Sequence, residues 1–174
     1  LRHVRMWEPQ SALKKPHIPE NCSGSSDESY QIAQNETMVA QRLEQRSPSD
    51  CSRSTIIAGA TDEWVAVNQQ LEQHETILDI SRIPSLREIT ARDGTIEIGA
   101  CVTHSELFAY FTEAPYQSSA IRELLTRFGS PQIRNRGTIG GNICGGSPIA
   151  DWSPLLLALD ASVVLKSAGS SRLV

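Results

Sequence analysis

The chain has 174 residues, with 16 Lys and Arg against 20 Asp and Glu, which gives a formal net charge of −4. That length predicts one domain, or one domain with a tail. The acidic balance excludes the basic surface that a nucleic-acid or anionic-membrane partner would need, and no apolar run is long enough to cross a bilayer.

Residues 1–53 predict a poorly ordered linker. Large apolar residues are sparse there, and only one of the eleven glycines, Gly24, lies in it. So few apolar groups cannot offset the conformational entropy that ordering the segment would cost. Within the linker, residues 30–46 predict a weakly amphipathic helix.

Residues 54–174 predict a packed domain that opens with a βαβ unit. Residues 55–58 are a short apolar run that stops at Gly59, residues 62–73 carry apolar side chains at helical spacing, and residues 76–80 form a second apolar run. Strand, tight turn, helix and strand in this order predict two parallel strands joined by a crossover.

The following segment predicts a β-hairpin. Residues 86–90 and 95–101 resemble strands, and Asp93-Gly94 between them provides the positive φ angles that a tight hairpin turn needs.

Helices and a final strand complete the predicted domain. Thr103 with Glu106 three residues later predicts a capping box, which would begin a helix that continues through Phe111. The remaining expected elements are helices over 118–128 and 152–159 and a strand over 162–166. Because Val174 falls inside an incipient strand, we expect the domain to be C-terminally truncated. The fold class is therefore α+β: a βαβ subdomain followed by a mixed or antiparallel sheet with helices.

Two glycine-containing turns are the candidate binding elements. The first contains Gly59, between strand and helix; the second is residues 137–146, which hold five of the eleven glycines. Consecutive amides in such turns bind anionic oxygens, and a helix N-terminus adds partial positive charge. Two converging turns would suit a diphosphate, although a single glycine between strand and helix, such as Gly59, is most often only a tight connection.

Other sites are not supported by the motifs. The chain lacks Gly-x-Gly-x-x-Gly, the P-loop pattern and Gly-x-Ser-x-Gly. The histidines lack metal-ligand spacing, and the four cysteines, Cys22, Cys51, Cys101 and Cys144, form no Cys-x-x-Cys pair, so neither zinc nor an iron–sulfur cluster is expected on this chain. Residues 1–15 have no export signal, and we expect free thiols in a reducing cytoplasm.

These two segments resemble the flavin-binding segments of the molybdenum hydroxylase flavoproteins. Residues 56–62 (IIAGATD) resemble the first segment; residues 128–135 (FGSPQIRN) and 137–143 (GTIGGNI) resemble the second. The continuation 146–151 (GSPIAD) is most similar to the small subunit of bacterial xanthine dehydrogenases. The resemblance covers about residues 54–174 and implies the FAD-binding fold of vanillyl-alcohol oxidase and p-cresol methylhydroxylase, with FAD between two subdomains.

The resemblance also implies roles for individual residues. Amides of the first segment would hold the pyrophosphate, and the second segment would close on it from the other side. Asp151 would accept hydrogen bonds from ribose or ribityl hydroxyls, and Phe128 would pack against the isoalloxazine ring. Phe128 would serve equally as a core residue, and Asp62 as a helix cap. The implied cofactor-binding residues are Ile57, Ala58, Gly59, Ala60, Thr61, Asp62, Phe128, Thr138, Gly140, Gly141, Asn142 and Asp151.

Ala60 departs from the family pattern, because many relatives have glycine there. The alanine adds a Cβ, which we expect to be tolerated if its φ angle stays negative.

The implied function is that of the FAD-binding electron-transfer domain of a xanthine dehydrogenase small subunit. Electrons would pass from molybdenum and iron–sulfur centres through FAD to NAD⁺, so that no acid, base or nucleophile is required of this chain. Its partners would be a molybdopterin-binding large subunit and a [2Fe–2S] domain, and we doubt that this chain has activity alone. The alternatives are the flavin subunit of an aldehyde, carbon monoxide or aromatic acyl-CoA dehydrogenase, or a truncated non-catalytic interaction module.

Overall fold

The computed structural model describes residues 30–44, 54–70, 74–113, 115–167 and 170–174. The linker that we predict over 1–29 and 45–53 lies outside these residues. The strands are β1 Tyr30–Ile32, β2 Ser54–Ile57, β3 Thr76–Asp79, β4 Ile89–Arg92, β5 Thr95–Ile98, β6 Val164–Lys166 and β7 Ser171–Leu173. The helices are α1 Glu36–Glu44, α2 Thr61–Gln70, α3 His104–Thr112, α4 Ser119–Arg127, α5 Pro131–Arg134, α6 Ile139–Cys144 and α7 Trp152–Ala158.

A three-stranded parallel sheet with the order β1-β3-β2 is the first layer. The predicted βαβ unit is confirmed, because β2 and β3 are parallel with Ile57 opposite Asp79. β1 is the second edge strand and pairs with β3 from Tyr30↔Ile77 to Ile32↔Asp79. The prediction of one helix over 30–46 was wrong at its start: residues 30–32 form a strand, and α1 begins only at Glu36. The sheet therefore begins before residue 54.

The predicted hairpin and capping box are both confirmed. β4 and β5 are antiparallel, and Asp93 and Gly94 have φ angles of 51° and 77° in the turn between them. The Thr103 hydroxyl accepts from the Glu106 amide while the Glu106 carboxylate accepts from the Thr103 amide, which fixes the start of α3.

Two groups of buried apolar side chains hold the layers together. The larger group joins α3, α4, α6 and α7, and the smaller lies under the parallel sheet around Leu78 and Ile83. The larger group consists of Val102, Leu107, Phe111, Ile121, Leu125, Ile139 and Trp152. Because α6 and α7 contribute Ile139 and Trp152 to the same core, the glycine-rich second segment is packed against the body of the domain.

Candidate functional site

The first glycine loop follows the carboxyl end of β2 and leads directly into α2. Ligands of open α/β sheets bind at such strand ends. Within the described residues, no group accepts a hydrogen bond from the backbone amides of Gly59, Ala60 and Thr61. These three amides are therefore available to an anionic ligand at the N-terminus of a ten-residue helix.

Ala60 has a φ angle of +57°, so the negative angle under which we expected the alanine to be tolerated is not what the structure has. A left-handed backbone brings the alanine Cβ too close to the neighbouring carbonyl oxygen. The loop therefore keeps the geometry that glycine adopts readily although its residue is alanine.

The two glycine segments meet. A Cβ built on Gly59 would lie 2.0 Å from the Arg136 carbonyl oxygen and 3.0 Å from the Gly137 Cα. Glycine is required at position 59 because the second segment approaches it without room for a side chain. On the far side, the Asp62 Oδ2 lies 3.4 Å from the position a Cβ would take on Gly145.

A cleft of about 160 Å³ opens between the two segments. Of the residues that the resemblance implies, Ala58, Gly59 and Thr138 line it, and the others are outside its lining. The sequence reasoning missed its remaining lining residues. These are Ser81, Arg87, Cys101, Thr103, Glu106, Asn135 and Arg136.

The second segment is a helix N-terminus rather than an open glycine turn. Thr138 caps α6, its hydroxyl accepting from the Gly141 amide at 3.1 Å. The amides of Ile139 and Gly140 donate to the carbonyl oxygens of Val102 and Ala100. Our interpretation of 137–146 as a cradle of free amides was therefore wrong for these positions, because neighbouring backbone already accepts their protons.

Gly140 is also explained by packing. A Cβ on it would lie 2.7 Å from both the Cβ and the carbonyl oxygen of Ala100. Together with the Thr103–Thr138 bridge and the bond from the His104 amide to the Gly137 carbonyl, this contact pins the second segment to the strand-like stretch before α3.

Two further implied residues, Asn142 and Asp151, lie on α6 and directly before α7. The Asn142 Oδ1 is buried and, within the part of the chain that the structure describes, lacks a hydrogen-bond donor. Such an orphaned acceptor fits a site that is completed by a hydroxyl-bearing group, as the ribityl and ribose parts of FAD are. Asp151 is exposed before α7 and makes no side-chain capping bond.

A buried histidine supports Phe128. The His104 ring lies 4.3 Å from the half-buried Phe128 ring, centroid to centroid, and its Nδ1 accepts from the Trp152 indole N–H at 3.1 Å. Burial lowers the pKa of His104 to about 4, so the imidazole is neutral near pH 7. His104 is the first residue of α3, and its ring lies between Phe128 and Trp152, the latter 48 residues further along the chain.

Two charged side chains in the lining of the cleft compensate each other. Arg87 forms an ion pair with Glu106. Burial raises the pKa of the Glu106 carboxyl, but hydrogen bonds from Thr103 and the charge of Arg87 outweigh it, so the net shift is downward. Burial also raises the pKa of Cys101 to about 11, which keeps its thiol protonated.

The described residues contain no group of three or more His, Cys, Asp and Glu side chains that could hold a metal ion. None of their helices has the length and apolar character to span a membrane.

Residues 28–174 match the family described as the FAD binding domain in molybdopterin dehydrogenase. The chain belongs to this family. It is 38% identical over 120 residues to the nicotinate dehydrogenase FAD-subunit of Eubacterium barkeri, covering 67% of this chain and 39% of that protein. It is 32% identical over 127 residues to the xanthine dehydrogenase FAD-binding subunit of Escherichia coli O157:H7, covering 72% and 43%.

Among solved structures, carbon monoxide dehydrogenase from Hydrogenophaga pseudoflava superimposes with a TM-score of 0.74 and 30% sequence identity, covering 84% of this chain and 49% of that one. The architecture is thus that of the FAD-binding domain of molybdenum hydroxylases. The chain spans less than half the length of these relatives.

Proposed function

We propose that this chain binds FAD with the cofactor's pyrophosphate in the cleft between the two glycine segments. The observation that carries the proposal is the direct contact of Gly59 with the Arg136 carbonyl, beside the shared cleft that Thr138 also lines. The free amides of Gly59, Ala60 and Thr61 would donate to the phosphate oxygens.

The other implied residues would hold the rest of the cofactor. Thr138 and the α6 residues Gly140, Gly141 and Asn142 would close the second side, with the Asn142 Oδ1 accepting from a hydroxyl. Asp151 would accept from the ribose or ribityl hydroxyls, and Phe128 would pack against the ring. We propose the vanillyl-alcohol oxidase and p-cresol methylhydroxylase type of fold for the whole domain, with FAD between two subdomains.

In the intact enzyme the chain would serve as a flavin subunit of the xanthine dehydrogenase type. Its partners would be a molybdopterin-binding large subunit and a [2Fe–2S] domain, with NAD⁺ as acceptor and the cytoplasm as location. Bound FAD supplies the hydride and electron-transfer chemistry. The residues of this chain bind the cofactor, orient its ring and exclude water from one face.

A nicotinate-type complex is a second candidate. The identity to the nicotinate dehydrogenase subunit is 38%, against 32% for the xanthine dehydrogenase subunit. In the proposed arrangement the cleft residues would contact the cofactor and not the hydroxylated substrate, so they do not discriminate between the two.

Two experiments test the proposal. The purified chain, incubated with FAD and desalted, should retain flavin that denaturation releases in about equimolar amount; a folded chain that retains none would contradict the proposal. In the complex with the molybdopterin and iron–sulfur subunits of its own organism, anaerobic xanthine should bleach the flavin absorption. Bleaching by nicotinate and not by xanthine would favour the second candidate.

A further inference from the structure

If the cleft holds a diphosphate, its residues must stabilise negative charge. This inference rests on the proposed function. A pyrophosphate linkage carries two negative charges, and bringing charge out of water is costly unless hydrogen bonds or cations compensate it. The cleft must therefore supply hydrogen-bond donors or positive charge.

The two sides of the cleft differ in the donors they offer. The first loop has three amides without an acceptor within the described residues, those of Gly59, Ala60 and Thr61. On the second side, the amides of Ile139 and Gly140 are already bonded to backbone carbonyls. The Thr138 amide, by contrast, has no acceptor among the described residues, so the second side offers one free backbone amide. A positively charged side chain on this side would add the charge compensation that a single amide does not provide.

Arg136 is a positively charged residue that lines the cleft on its second side. Its amide donates to the Ile133 carbonyl at 3.1 Å, and its own carbonyl contacts Gly59, so its backbone is fixed at the junction of the two segments. Its exposed side chain makes no ion pair with any described residue. Arg87, which also lines the cleft, is by contrast paired with Glu106.

Arg136 also lies near the carboxyl ends of β2 and β3, where the first glycine loop begins. A hydrogen bond to Asp79 raises the pKa of the Tyr30 hydroxyl, and the positive charge of Arg136 opposes this rise. Asp79 is the last residue of β3, opposite Ile57 at the end of β2. Arg136 itself lines the cleft together with Ala58 and Gly59, which follow β2, and with Ser81, which follows β3.

We propose that Arg136 binds the pyrophosphate of FAD and gives the cleft its preference for FAD over phosphate-free flavins. A guanidinium matches two phosphate oxygens with a planar pair of N–H donors, and such charge-assisted bonds are stronger than neutral ones. Arg136 thereby adds to the Thr138 amide on the side of the cleft where the amides of Ile139 and Gly140 are already bonded.

The test compares FAD with riboflavin, which has the same ring and ribityl chain but no phosphate. Arg136→Gln should weaken FAD binding roughly tenfold to a hundredfold, the range for losing one hydrogen bond to a charged group, and leave riboflavin binding unchanged. Arg122→Gln is the matched control, because it removes the same charge from an exposed position on α4. It should change neither affinity. The dependence of FAD affinity on salt should also fall in Arg136→Gln, since one screened attraction is removed.

The outcomes distinguish the proposed function from the role of Arg136. A wild-type chain that binds no FAD overturns the proposed function and this inference with it. If the wild type binds FAD and Arg136→Gln binds it equally tightly, only the role of Arg136 is overturned. An equal loss of FAD and riboflavin affinity would mean that Arg136 only supports the structure, which also overturns the proposal. Arg136→Lys, which keeps the charge without the planar pair of donors, should retain part of the FAD preference.

Discussion

The contact between Gly59 and Arg136 makes Gly59→Ala the sharpest perturbation of the two-segment arrangement. The Gly59 φ angle is outside the left-handed region, so alanine can adopt its backbone conformation, and the whole effect comes from the added Cβ. That atom would lie 2.0 Å from the Arg136 carbonyl oxygen, against the 3.0 Å below which real Cβ atoms are not found. The two segments must therefore separate by about 1 Å.

The separation has a cost in stability and in binding. Overpacking of this kind costs about 1–3 kcal/mol of unfolding free energy. It should also widen the cleft and weaken FAD binding at least about tenfold, equivalent to about 1.4 kcal/mol. Urea denaturation gives the first quantity, and isothermal titration with FAD gives the second.

Gly94→Ala is the control for a glycine substitution away from the cleft. Gly94 has a φ of +77° in the hairpin turn, and a Cβ there would meet nothing within 4 Å. Its loss of stability should be about 1–2 kcal/mol from backbone strain alone, with FAD affinity unchanged. If Gly59→Ala kept the wild-type FAD affinity, the reasoning that joins the two segments into one site would be refuted.

Three further predictions concern individual residues. Ala60→Gly should raise the unfolding free energy by about 1 kcal/mol in urea denaturation, because it relieves the left-handed strain; an unchanged midpoint would contradict this. His104 has a pKa lowered from 6.5 to about 4 in the folded chain, so the unfolded chain binds more protons in that interval and stability should fall by about 3 kcal/mol as pH drops through it. His104→Gln should flatten that slope in urea denaturations between pH 7 and 4.5, whereas an equal slope would argue against the burial of a neutral imidazole. Iodoacetamide should modify the exposed Cys144 and spare the buried Cys101 in native protein, as peptide mass mapping would report, since the Cys101 thiol has a pKa of about 11; labelling of Cys101 at the rate of Cys144 would show that it is accessible.

The parts of the fold that the sequence predicts correctly depend on local interactions. The Asp93-Gly94 turn and the Thr103–Glu106 capping box each lie within four residues, so residue type alone sets their geometry. The β2–α2–β3 unit is likewise predicted from a short stretch of chain.

The parts that it misses depend on distant partners. β1 exists because Tyr30–Ile32 pairs with β3, nearly fifty residues later, and nothing in those three residues distinguishes a strand from the start of a helix. The left-handed Ala60 directly follows Gly59, which Arg136 and Gly137 approach from more than seventy residues along the chain.

In the candidate site, the motifs identify the two segments that meet. They do not show which backbone amides of each segment are free to donate hydrogen bonds to a ligand. The α6 amides are occupied because the strand-like stretch before α3, with Ala100 and Val102, runs beside them. Nothing in the sequence indicates a binding role for Arg136 beyond its place directly before the glycine-rich segment. The proposed role follows only from its position in the lining of the cleft.

Hydrogen–deuterium exchange of the chain with and without FAD tests the central claim most directly. If the cofactor's pyrophosphate lies between the two glycine segments, FAD should slow exchange of the free amides at Gly59, Ala60 and Thr61 and of the segment that contains Arg136 and Thr138. The hairpin of β4 and β5 should exchange as before. Binding of FAD with protection elsewhere, and none in these two segments, would contradict the account.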